Sequence, residues 1–140
     1  MREHEIINGL RDADFIYIAG NGGSASTANH FANDLVKMAH RKAISLCANE
    51  AVVMAYGNDD GYENIFTRQL EVFFDPKKDV LITISGSGTS PNIVNAQNYT
   101  EMQEGKFYAI PTMSELGCDM QQAEDYHLAL SHKIASSLMK

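Results

Sequence analysis

The sequence predicts a small three-layer α/β domain, a parallel sheet covered by helices on both faces. Three observations carry that prediction. Unbroken apolar runs alternate along the chain with stretches of three- and four-residue apolar spacing. Two of the runs stop at loops of glycine, serine and asparagine that open directly into helical patterns. The chain has 140 residues, 44% of them apolar, enough for one hydrophobic core and one domain spanning 1–140.

Taken in order, residues Glu3–Leu10 have room for one short helix, and Phe15-Ile16-Tyr17-Ile18-Ala19 is the first strand. It is apolar on both faces, as a buried parallel strand must be. The loop Gly20-Asn21-Gly22-Gly23 ends it, and a helix follows from Ser24 to Ala39. That helix carries Ala28, Phe31, Ala32, Leu35 and Ala39 on one stripe. Ala43–Cys47 is the second strand. Helical stretches over Glu50–Tyr56 and Tyr62–Phe74 come next, divided by a turn at Gly57-Asn58-Asp59-Asp60-Gly61. Val80–Ile84 is the third strand, ending in Ser85-Gly86-Ser87-Gly88-Thr89-Ser90. Pro91 suits the first turn of a helix reaching Glu104. Lys106–Ile110 reads as a fourth strand and Gln121–Met139 as the closing helix. Between them, 111–121 has no assignable element.

Composition excludes several functions. Eleven Lys and Arg face eighteen Asp and Glu, a net charge of -7, which repels nucleic-acid backbones. No apolar run approaches membrane-spanning length, and the polar start Met1-Arg2-Glu3-His4-Glu5 is no signal peptide, so a cytoplasmic protein is expected. Cys47 and Cys118 form neither a CxxC pair nor a disulfide framework and are read as reduced thiols.

In an open α/β sheet, ligands sit at the carboxyl ends of the strands. Glycine lets backbone approach a ligand, and a helix N-terminus offers unpaired N–H groups to an anion. The hydroxyls of Ser24, Ser85, Ser87 and Ser90 add donors without charge, so the two loops together form a cradle for a phosphate monoester. Gly20-Asn21-Gly22-Gly23-Ser24-Ala25 also matches G-x-G-x-x-A. A dinucleotide site would need an acidic residue closing the second strand, and the nearest, Glu50, is poorly spaced. Neither loop is an NTP-binding P-loop. His30 and Asp34 lie four apart on one helix face, close enough to share an ion or a proton. Glu124, His127 and His132 add titratable groups on the last helix.

Four segments together are more specific: Gly20–Ser26, His30-Phe31-Ala32, Asn58–Phe66 and Ser85–Asn92. In order and spacing the sequence resembles the SIS-domain phosphosugar isomerases, the phosphoheptose (sedoheptulose-7-phosphate) isomerase group above all. The likeness covers Phe15 to Ala96 and resumes over Ala123–Ile134. It implies a four- or five-stranded, doubly wound, flavodoxin-like sheet. It also implies sugar-phosphate contacts from Asn21, Gly22, Gly23, Asn58, Asp59, Ser85, Gly86, Ser87 and Ser90, and zinc held by His30, Asp34, Glu124 and His132. Here Asp34 stands where the family has Glu, and Glu124 where it has Gln. The implied reaction is aldose–ketose isomerisation of sedoheptulose 7-phosphate through an enediol, with Asp34, Glu124 and His132 as the acid/base residues.

Glu124 and His132 are eight residues apart, about 12 Å along one helix. Binding one ion from the same copy would need Glu124 to precede the helix. Sites shared between subunits answer the same difficulty, and a homo-oligomer, dimer or tetramer, is expected. The competing reading is a non-catalytic module of this fold that binds a phosphosugar or docks on a partner.

Overall fold

The computed structural model describes residues 2–139. Helix α1 (Arg2–Arg11) precedes strand β1 (Phe15–Gly20), helix α2 (Gly23–Lys37) and strand β2 (Lys42–Ser45). Helix α3 (Glu50–Asp60), a 3-10 turn (Tyr62–Asn64) and helix α4 (Ile65–Phe73) follow. Strand β3 (Val80–Ile84), helix α5 (Pro91–Met102) and strand β4 (Lys106–Ala109) lead to helices α6 (Met113–Leu116) and α7 (Met120–Leu138).

All four strands are parallel, in the order β2-β1-β3-β4. The chain leaves β1 toward β2 and later returns to β1's other side to add β3. The boundary between β1 and β3 is therefore the topological switch point. Alternation along the strands splits the core in two. Ile16, Ile18, Val80, Ile82 and Ile84 pack with α1, α2 and α7, while Tyr17, Ala19 and Leu81 pack with α4 and α5. The predicted three layers are present, with four strands.

Two local expectations need correction. Gly57 does not break the chain: α3 continues through Asn58 and Asp59 to Asp60, and the break comes at Gly61, whose φ of 94° is open to glycine. Asn49 starts this helix by accepting the Val52 N–H, and a single interior glycine costs too little to stop it. Residues 111–121 contain a capped turn of helix. Thr112 and Glu115 form a capping box, and Gly117 ends the turn in the left-handed region. Asp119 and Gln122 form a second capping box that opens α7. No fifth strand occurs among the described residues. No helix among them is long and apolar enough to cross a membrane.

Candidate active site

The switch point places the two glycine–serine loops side by side. Gly20 ends β1 so close to α2 that a β-carbon there would lie 2.6 Å from the Ser24 carbonyl oxygen. Gly22, with φ 56° and ψ -123°, then turns the chain into the helix. Neither α2 nor α5 has a side chain capping its N-terminus, whereas Asn49, Thr112 and Asp119 cap α3, α6 and α7. The start of α2 at Gly23 and Ser24 and the loop Ser85–Ser90 that precedes Pro91 open onto a shared cleft of about 270 Å³.

That cleft is lined by Asn21, Gly22, Gly23, Ser24, Ile84, Ser85, Gly86, Ser87, Ser90, Met120 and Glu124. Ser85 Oγ accepts the Gly88 N–H at 2.9 Å and Ser87 Oγ accepts the Thr89 N–H at 3.2 Å. With lone pairs so engaged, both hydroxyl protons remain to be donated to an anion. The cleft contains no Lys or Arg, and Glu124 is its one ionisable side chain.

A second constellation lies where α2 packs against α7. His30 Nε2 is 3.0 Å from His132 Nε2 and 3.3 Å from Asp34 Oδ2, and His132 Nε2 is 3.8 Å from the same oxygen. Both imidazoles are half exposed while the Asp34 side chain is 10% exposed. One ligand atom from each residue falls within 4.8 Å of the others. Two imidazole nitrogens and a carboxylate oxygen converging this way form a donor set that could hold a metal ion.

Glu124 is not in this cluster. It sits in α7's second turn, so the eight-residue helical separation from His132 holds, and its carboxylate lies over the start of α2. A β-carbon at Gly23 would come within contact distance of it. One helix thus serves both constellations: Glu124 at the cleft and His132 at the cluster. Nor do Asn58 and Asp59 reach the cleft. They occupy the last turn of α3, Asn58 Nδ2 donating to Asp59 Oδ1 at 3.0 Å, and Asp59 borders an apolar groove of about 400 Å³ between α3 and α4.

Two residues that sequence reasoning did not single out matter here. Asn92 and Asn21 exchange amide hydrogen bonds across the two loops, and the Tyr62 hydroxyl donates to Asn21. Both lie within conspicuous segments, but their roles depend on which loops are neighbours. Cys47 is a free thiol that donates to the Gly20 carbonyl at 3.0 Å, and burial pushes its pKa up; Cys118 is also free.

A family model described as the SIS domain matches residues 4–112. A phosphoheptose isomerase of Helicobacter pylori (strain P12) is 40% identical over 121 residues, covering 83% of this chain and 60% of that protein. The structure of phosphoheptose isomerase from Neisseria gonorrhoeae superposes with a TM-score of 0.85 at 21% identity, over 98% of this chain and 85% of that one. The NanR protein of Vibrio vulnificus, solved with ManNAc-6P, has a TM-score of 0.67 at 17% identity, over 98% of this chain and 53% of its own. The chain thus spans about three-fifths of the length of this curated relative.

Proposed function

Since this chain belongs to the SIS-domain family, we propose that it is an aldose–ketose isomerase acting on a linear sugar phosphate of the sedoheptulose 7-phosphate class. One observation carries the reading. An anion cleft without cations lies seven to eight residues along α2 and α7 from the His30–Asp34–His132 cluster, about 10–12 Å at the helical rise. A ligand with a phosphate at one end and a carbonyl at the other fits that separation.

The hydroxyls of Ser85, Ser87 and Ser90 and the amide of Gly23 that opens α2 bind the phosphate, with Ser24, Gly22 and Gly86 forming its walls. At the other end a proton leaves C1 of the ketose, an enediol forms, and a proton is returned to C2 while the hydroxyl proton on O1 passes to O2. We assign the carbon proton transfers to His132, with Asp34 steadying both imidazoles through its Oδ2; Glu124, at the phosphate end of the same helix, does not reach C1 or C2 within one copy. His30, Asp34 and His132 would hold a zinc ion, which when bound would polarise the carbonyl.

The active form is a homo-oligomer, a dimer or tetramer. Its support is α3, which buries no residue of its own although it carries Val52, Met54, Ala55 and Tyr56. Met54 on it and Val72 and Phe73 beside it are 71%, 67% and 53% exposed. A second copy covering this apolar face would also engage Asn58 and Asp59. A protein of this kind would work in the cytoplasm.

Incubation with sedoheptulose 7-phosphate, with and without zinc, should yield the aldose. Ligand binding without turnover would instead favour a phosphosugar-sensing module. A monodisperse, fully active monomer in light scattering would overturn the oligomer.

A further inference from the structure

β1 and β3 are paired as far as Gly20 and Ile84. Beyond that point the chains diverge, α2 to one face of the sheet and α5 to the other, and the strand ladder no longer sets their spacing. Among the described residues, the hydrogen bonds that cross between the two loops are those of one amide pair. Asn21 Nδ2 donates to Asn92 Oδ1 at 2.8 Å, and Asn92 Nδ2 donates to Asn21 Oδ1 at 3.0 Å. Asn92 is 1% exposed, too deep to touch a ligand. Tyr62, 59% exposed, donates its hydroxyl to the same Asn21 oxygen at 2.9 Å. The segment bearing Tyr62 is itself tied to α5, since Asn95 Nδ2 donates to the Glu63 carbonyl at 3.0 Å.

Asn21 therefore has both oxygen lone pairs and one amide proton committed. Its side chain faces the second loop, and what it offers the cleft is backbone. We propose that Asn92 and Tyr62 are positioning residues: by holding the Asn21 carboxamide they set the spacing at which one phosphate meets both the Gly22–Ser24 turn and the Ser85–Ser90 loop. The inference rests on the proposed reading of the cleft as a phosphate site. A reciprocal amide pair suits the task, because two parallel hydrogen bonds fix orientation as well as distance, and burial of one partner keeps water from competing.

The test uses the full chain and three variants, Asn92→Ala, Asn92→Asp and Tyr62→Phe. It reads the Kd for inorganic phosphate by calorimetry, KM and kcat with sedoheptulose 7-phosphate, and Tm. Asn92→Ala should raise the phosphate Kd and KM together by about tenfold to a hundredfold, as expected for losing two hydrogen bonds, with kcat within about twofold. Asn92→Asp keeps the shape but sets a buried carboxylate oxygen against Asn21 Oδ1, and should raise both constants at least as much as Asn92→Ala. Tyr62→Phe removes one exposed hydroxyl and should raise both constants about threefold. A lowered Tm with Kd and KM within about twofold of wild type would overturn the proposal, leaving the pair as packing alone. Should Asn92→Ala fail to fold, Tyr62→Phe decides by the same criterion. Wild-type protein that binds phosphate without turnover would refute the isomerase reading while the Kd series still tests the positioning role. Wild-type protein that does not bind phosphate overturns the positioning role itself.

Discussion

Replacing Gly20 by alanine tests the idea that the cleft depends on how tightly α2 begins behind β1. The new β-carbon would meet Ser24 at 2.6 Å from its carbonyl oxygen, 2.8 Å from its carbonyl carbon and 3.0 Å from its β-carbon. Two of these are backbone atoms in the first turn of a helix, and no rotamer change removes them. The start of α2 must retreat by about 0.8 Å to reach ordinary contact. Overpacking of that kind costs about 1–3 kcal/mol, which for a domain of this size lowers Tm by roughly 3–12 °C. The same shift moves the amides of α2 away from the anion, and losing one charge-assisted hydrogen bond weakens phosphate binding about tenfold. Thermal unfolding and phosphate calorimetry measure the two effects on one sample. Gly22→Ala is the control: its β-carbon meets open space, so the cost is backbone strain at φ 56°, about 1–3 kcal/mol. If Gly20→Ala matches wild type in both Tm and phosphate Kd, the close approach of strand and helix does not shape the site.

Three further outcomes follow from the geometry. Glu124→Gln removes the one charge in the cleft and should tighten phosphate binding about threefold in calorimetry; a Kd equal to or weaker than wild type would refute its place beside the anion. Asp34→Asn should abolish zinc uptake in equilibrium dialysis without disturbing phosphate binding, since Asp34 sits in the cluster and not in the cleft; unchanged zinc stoichiometry would refute the ligand set. Burial in the sheet pushes the Tyr17 phenol up to about 12, from an ordinary value of 10. The folded state therefore holds that proton more tightly than the unfolded chain. Its contribution is fully present below pH 10 and is lost as pH rises through about 12, so wild type should lose stability over that window more steeply than Tyr17→Phe in alkaline denaturation.

The strands and most helices were legible because their signal is local. A two-sided buried strand must be apolar at consecutive positions, as Phe15–Ala19 and Val80–Ile84 are, and an amphipathic helix must repeat every three to four, as α2 does. The reach of α3 past Gly57 was missed because one glycine is a weak penalty against a helix already capped by Asn49. The helix at 113–116 carries a capping box that the sequence did contain, at Thr112 and Glu115, but four residues are too few to establish a period.

By itself the sequence determined the layered α/β class, the two hydroxyl- and glycine-bearing loops, the His30–Asp34 pair and the separation of Glu124 from His132. Each of these is set by helix or strand geometry within one element, where residue spacing converts directly into distance. Only the tertiary structure decided which loops are neighbours, that His132 joins His30 and Asp34, that Glu124 falls at the phosphate end, and that Asn92 clamps Asn21. Those facts arise from strand order and from the packing of α7 on α2, contacts between residues as far as 102 positions apart. No local period encodes such contacts; the burial of the whole core does.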